Sequence, residues 1–279
     1  METPGYRLIN GQPDGVIDPS DRSFQYGDGV FSTLRVSQGR PLFLAEHLAR
    51  LVHDSAVLRL PVPDQTAILG DVDTLCGGCP EGVLKIQLSR GPGERGYRPP
   101  AAPIPTRVTT IRPIPALSPA PPRPWRVRLL NQRLAHAPGL AGVKHCNRLE
   151  QILARMEWDE AETDEGLMLD AEGCLTEGTM TNVFLFRRRQ LKTPLLDRCG
   201  VKGIFRAQLM AWARARGIPV VEDRLWPDEL WEADDVLLTN SVIGVVAIES
   251  LEGRPLKQSG LGKDAHAWYL EAIERNSSR

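Results

Sequence analysis

In GVLKIQLSRG, Leu84, Ile86 and Leu88 alternate with Lys85, Gln87 and Ser89. A period of two is the signature of a strand with one buried and one wetted face. In AEHLARLVHDSAVLRL the period changes. Leu48, Leu51, Val52 and Ser55 recur at three- and four-residue spacing, so this segment is predicted to be a helix. The same spacing returns in GVKHCNRLEQILARMEWDE, where Leu149, Ile152, Leu153 and Met156 form one apolar stripe after an irregular start. TRVTTIRP, WRVRLLNQ and YRLI read as strands. EGLMLDAEGCLTEGTMTNVFLF reads as strand, DAEG turn and strand, with Glu177 at the Gly/Thr-rich interruption TEGTMTN. VKGIFRAQLMAWARARG is a helix that Gly217 ends, followed by a strand. ADDVLLTNSVIGVVAIESL reads as strand, polar turn and strand, and DAHAWYLEAIER as a final helix.

RPIPALSPAPPRPW is the most proline-dense stretch. Proline lacks a backbone donor and is excluded from helix interiors and central strands. An extended linker is therefore expected over 114–124, between a smaller N-terminal domain, 1–113, and a larger C-terminal domain, 125–279. Strands and helices interleave on both sides, so the expected class is α+β with two domains.

Composition narrows the function without naming it. Of 279 residues, 42% are hydrophobic and 25% charged, the range of ordinary globular proteins. A net charge of −1 and the lack of a long Lys/Arg tract argue against nucleic acid as a partner. FRRRQ is short enough to be a hairpin turn. No apolar run nears the roughly 20 residues that span a bilayer. METPGYRLINGQPDG lacks a basic stretch followed by an apolar one, so a cytoplasmic protein is expected. Five cysteines, an odd number, fit a reducing compartment. Cys76 and Cys79 form a C-x-x-C without a second ligand pair, which reads as a turn, not a zinc site. The five histidines are scattered and read as structural or surface residues; no metal is expected.

Four polar features fall at element ends. Lys144 has no acidic residue within five positions on either side. Arg50 lies on the first long helix, Glu177 in the interrupted hairpin, and TNSVIG follows a strand with three small polar side chains in a row. Such a turn can hold an anion, and an arginine can add a bidentate contact. Gly203 opens a helix, where N–H groups point outward. Each feature also has an ordinary explanation. A lone lysine or arginine is most often solvated, TNS is most often a turn, and Glu177 could brace its loop.

The pattern gains meaning as a set. GVKHCNRLEQILAR resembles the lysine segment of fold-type IV pyridoxal-phosphate enzymes, the branched-chain-aminotransferase-like group, and DRSFQYGDGVFSTLRV, HLARL, LKIQLSRGPGERGY, DEGLMLDAEGCLTEGTMTNVF and GVKGIFR resemble, in this order, further blocks of that family. KHCNRLEQ and SRGPGERGY are similar to the aminodeoxychorismate lyases within it. The resemblance implies that Lys144 bonds the aldehyde of pyridoxal 5'-phosphate and later acts as general base. It implies that Glu177 faces the pyridine nitrogen, and that Arg50, Ser241 and the N–H groups near Ile204 and Phe205 hold the phosphate. Thr33 would assist proton movement. Tyr26 and Asn147 would line the pocket, and Arg95 would meet a substrate carboxylate. The implied reaction turns 4-amino-4-deoxychorismate into 4-aminobenzoate and pyruvate, in a homodimer. Branched-chain or D-amino-acid transamination is the alternative on the same scaffold. Cys146 departs from the resemblance, where a leucine-like residue is expected.

Overall fold

The structure, a computed structural model, describes residues 6–159 and 161–277. The chain divides into two compact units. The first takes the chain up to Leu117, Val143–Asn147 and the segment from Arg275 onward; the second takes Ser118–Gly142 and Arg148–Glu274. Residues 114–124, where the linker is expected, form no helix or strand, and the unit boundary at Leu117 falls among them. The short segment containing Lys144 thus groups with the first unit, whereas the sequence reading leaves it in the C-terminal domain.

The first unit contains β1 (Arg7–Ile9), α1 (Arg22–Tyr26), β2 (Gly29–Ser37), β3 (Arg40–Pro41), α2 (Leu44–Val57), α3 (Gln65–Cys76), β4 (Glu81–Ser89) and β5 (Thr106–Pro113). The strands make one antiparallel sheet in the order β1-β5-β4-β2-β3. On β4 the alternating Leu84, Ile86 and Leu88 are buried, as the period of two requires. They join Val30, Leu34 and Val36 of β2 and Leu48 and Leu51 of α2 in one core. Helix α3 is absent from the sequence reading. Two prolines and Gly70 disguise its Ile68, Val72 and Leu75 face, although Asp64 caps it by accepting from Ala67 N–H at 3.0 Å. Cys76 ends this helix, and Cys79 N–H returns to the Cys76 carbonyl in a tight turn.

The second unit contains β6 (Trp125–Leu134), α4 (Leu149–Arg155), β7 (Glu165–Asp170), β8 (Leu175–Gly178), β9 (Asn182–Arg187), β10 (Gln190–Pro194), α5 (Ile204–Ala215), β11 (Val220–Asp223), α6 (Asp228–Glu232), β12 (Asp235–Asn240), β13 (Gly244–Leu251), β14 (Arg254–Pro255) and α7 (Leu261–Ser277). Its sheet runs β11-β10-β9-β12-β13-β6-β7-β8, with β14 beside β13. Both parallel and antiparallel pairs occur, so the class is α+β. FRRRQ is the turn between β9 and β10, with Arg188 and Arg189 at positive φ.

Helix α4 forms where its spacing predicts, yet its apolar stripe faces outward. Leu149 is 71% exposed and Met156 74%, with Ile152 and Leu153 about half exposed. Among the described residues, no helix is long and apolar enough to cross a membrane.

Candidate active site

In the first unit, the Lys144 segment completes an open edge. Beyond Val36, β3 no longer covers β2. There Phe31 N–H donates to the Lys144 carbonyl at 3.0 Å, Cys146 N–H donates to the Gly29 carbonyl at 2.9 Å, and Val30 bridges His145. Helix α2 holds the segment from below: the Lys144 amide donates to Asp54 Oδ2 at 3.0 Å. The half-buried Lys144 side chain lies with its Nζ 4.6 Å from the Phe31 ring centroid. Thr33 lies two residues along β2, on the same side as Phe31.

Arg50 sits on α2, one turn before Asp54. Its guanidinium donates to Ser32 Oγ at 2.5 Å and lies 3.4 Å from His47 Nδ1. Its Nε is buried without a partner, and no carboxylate of the described residues pairs with it. Burial pulls this guanidinium down to about 10, against the opposing pull of Asp54. With Asp54 acting only at a distance, the guanidinium keeps donors that no carboxylate of the described residues takes up, and an anionic group would satisfy them.

In the second unit, Glu177 is buried within β8, which extends as a strand into the first residues of the predicted interruption TEGTMTN. Its Oε2 accepts the Val201 N–H at 2.8 Å, while Asn182 Nδ2 donates to the Val201 carbonyl at 2.8 Å. Bracing of the TEGTMTN turn falls to another residue, which the sequence reading omits. Glu165 accepts from Thr179 Oγ1 at 2.6 Å, Thr181 Oγ1 at 3.1 Å and the N–H groups of Thr179 and Met180. Burial raises the Glu165 carboxyl despite these donors.

The Val201 peptide leads directly into α5. Gly203 is its N-cap and offers no side-chain cap to the first turn, where Ile204 and Phe205 lie. A Cβ at Gly203 would stand 2.2 Å from Asn182 Oδ1, so a larger residue here would displace the Asn182 side chain. Ser241 lies in the turn after β12. Asn240 Oδ1 shapes that turn by accepting from Val242 N–H and Ile243 N–H, both at 2.9 Å. The neighbouring Thr239 hydroxyl is buried without a partner.

The remaining predicted residues belong to the first unit. Tyr26 is half-buried; its hydroxyl accepts from Gly96 N–H at 3.2 Å and its ring stacks edge-on against Tyr97. Arg22, which the sequence reading omits, fixes the same loop by donating to the Gly96 and Tyr97 carbonyls, both at 3.0 Å. The loop carries Arg95, whose side chain is exposed. Asn147 is exposed and donates to the Gly27 carbonyl at 3.3 Å. A cavity of about 580 Å³ lined by Asp18, Asp21, Phe24 and Gln87 contains none of the predicted site residues.

His47, Ser32 and Asp54 are likewise absent from the sequence expectations. Their signal is a stripe. His47, Arg50 and Asp54 are spaced three and four apart on α2, so they share a helix face. Burial and the charges of Arg50 and Lys144 hold the His47 imidazole well below its ordinary pKa.

The amino-transferase class IV family matches residues 29–251. The aminodeoxychorismate lyase of Vibrio harveyi is 33% identical over 248 residues, which is 87% of this chain and 90% of that protein. The D-alanine aminotransferase of Bacillus licheniformis is 25% identical over 270 residues, 91% of each. Among solved structures, the 4-amino-4-deoxychorismate lyase of Pseudomonas aeruginosa superposes with a TM-score of 0.88 at 35% identity, covering 95% of this chain and 98% of that one.

Proposed function

Since the chain belongs to the amino-transferase class IV family, we propose that it is a pyridoxal 5'-phosphate-dependent lyase. It converts 4-amino-4-deoxychorismate into 4-aminobenzoate and pyruvate, the reaction that serves folate synthesis. Both the Vibrio harveyi and the Pseudomonas aeruginosa lyase exceed the identity of the D-alanine aminotransferase over comparable lengths, which favours the lyase over a transaminase.

One observation carries the fit to the cofactor: the half-buried Arg50 guanidinium has no carboxylate in hydrogen-bond contact among the described residues and suits a phosphate. Ser241 and the first-turn N–H groups of α5, at Ile204 and Phe205, would share that phosphate. Lys144 would carry the aldehyde carbon, and Glu177 would keep the pyridine nitrogen protonated. Asn147 would contact the cofactor, and Tyr26 and Arg95 would meet the substrate. When bound, the cofactor supplies an electron-withdrawing ring next to the carbon that loses its proton.

The chain's own residues do the rest. Lys144 Nζ takes the proton from the substrate carbon that bears nitrogen, and Thr33 assists its movement. Loss of that proton lets the enolpyruvyl ether leave as pyruvate and the ring become aromatic, which makes the reaction effectively irreversible. The α4 stripe supports a homodimer, because a chain that leaves Leu149 and Met156 so exposed gains by covering them with a second copy. Five free cysteines suit the reducing cytoplasm.

The test is an assay of 4-aminobenzoate release from enzymatically made aminodeoxychorismate, run beside amino acids with 2-oxoglutarate. Release of 4-aminobenzoate supports the lyase. Keto-acid formation without it would replace the lyase by a transaminase.

A further inference from the structure

We propose that Ser32 and His47 are positioning residues that aim the Arg50 guanidinium at the cofactor phosphate. The proposal rests on the reading of Arg50 as the phosphate ligand.

All three groups lie inside the first unit. Ser32 on β2 and His47 on α2 are both 0% exposed. Ser32 Oγ stands 2.7 Å from His47 Nδ1 and receives an N–H from Arg50 at 2.5 Å. A hydroxyl has one proton to give. The oxygen accepts the Arg50 N–H, and the hydroxyl proton can be directed at the His47 nitrogen. A second Arg50 N–H contact reaches the same nitrogen at 3.4 Å. With Ser32 donating, Nδ1 accepts, and the neutral imidazole carries its proton on Nε2, which is buried without a partner. Its pKa, held down by burial, Arg50 and Lys144, agrees with this assignment.

The arrangement commits one edge of the guanidinium and leaves the others. Arginine has five donors in a rigid plane, so fixing one edge fixes the direction of all. Without Ser32, the long side chain would have to be ordered by the phosphate itself, and binding would bear that entropy. Nothing in packing alone requires a serine and a histidine at two fully buried positions, where apolar residues would fill the core without polar atoms to satisfy.

The experiment compares dissociation constants for pyridoxal 5'-phosphate and for pyridoxal, which has the same aldehyde and ring but no phosphate. The proteins are wild type, Arg50→Ala, Ser32→Ala, His47→Leu and His47→Asn, with folding checked by circular dichroism. The asparagine carbonyl oxygen can accept close to where Nδ1 did, so it serves as the conservative variant. Arg50→Ala should abolish most of the preference for the phosphorylated form. Ser32→Ala and His47→Leu should lower that preference roughly tenfold, the effect of one well-placed hydrogen bond, with pyridoxal affinity unchanged. His47→Asn should restore it.

A wild-type preference in folded Ser32→Ala, with the preference lost in Arg50→Ala, overturns the proposal. Equal losses for both ligands in Ser32→Ala also overturn it, since that is general loosening. If Arg50→Ala keeps the preference, the phosphate role of Arg50 is wrong and the positioning role goes with it. Should His47→Leu fail to fold, Ser32→Ala and His47→Asn still decide.

Discussion

Asp54 on α2 accepts the backbone N–H of Lys144 across 90 positions of sequence, at 3.0 Å. The helix that presents Arg50 therefore also fixes the height of the lysine segment. Asp54→Ala removes the acceptor from an amide at a crowded edge, and should destabilise the protein by about 1–3 kcal/mol. Asp54→Asn keeps an acceptor and should lose less. Urea unfolding of the two variants measures this. Equal stability of Asp54→Ala and wild type would mean that the bond contributes nothing.

Lys144→Ala should end turnover and leave no adduct after borohydride reduction in the presence of pyridoxal 5'-phosphate. Peptide mass spectrometry reads the outcome. Retained activity with labelling at another lysine, such as Lys85, which shares the Phe31 ring, would move the reactive amine there.

Glu177→Gln should separate binding from rate. The glutamine carbonyl oxygen can still accept from Val201 N–H, so the fold and the cofactor affinity should change little. A neutral amide cannot hold the pyridine nitrogen protonated, so the single-turnover rate of fully loaded protein should fall by about 10²-fold or more. A rate close to wild type would reduce Glu177 to a support for the Val201 peptide.

Stability should depend on pH through His47. Its folded pKa lies well below 6.5 because of burial and the charges of Arg50 and Lys144. Below about pH 6.5 the unfolded chain binds a proton there that the folded chain refuses, so stability must fall as pH falls. The slope from one such group is at most about 1.4 kcal/mol per pH unit. His47→Asn removes this contribution. His266, also lowered by burial, remains in both proteins and cancels in the comparison. Denaturation at pH 8 and pH 5.5 should show the weaker pH dependence in His47→Asn; identical slopes would rule out a neutral buried His47.

Local chemistry explains what could be read in advance. The alternation in β4, the Gly203 opening and Gly217 ending of the α5 helix, and the turn between β9 and β10 are set by neighbouring residues, and they occur where predicted. Helix α4 is a partial success. Spacing defines which side of a helix is apolar, but whether that side is covered depends on neighbours that the spacing does not contain. The Ser32, His47 and Asp54 contacts were illegible for a stricter reason. A lone histidine on a helix has many ordinary explanations, and its serine lies on a strand 15 residues earlier. Asp54 is farther still from the lysine it supports. The absence of acids near Lys144 in sequence is real, yet the fold brings one to its amide.

Val143–Asn147 belongs to the sheet of the first unit although the chain on both sides of it belongs to the second. The polypeptide is stitched, not strung like beads. A fragment ending near Leu117 would retain Arg50, His47 and Ser32 but leave the Gly29–Phe31 edge of β2 unpaired, with an exposed strand ready to recruit foreign chains. A fragment beginning after it would contain Lys144 without the strand and the carboxylate that shape its backbone. Expressed separately, neither piece has the amine in its native setting. Recombination between relatives at the proline-rich stretch would meet the same obstacle: a crossover there exchanges one partner of the Lys144–Asp54 and Phe31–Lys144 bonds and keeps the other. Fusions or permutations that keep the first unit's strand, Asp54 and this stitch in one continuous piece avoid that obstacle.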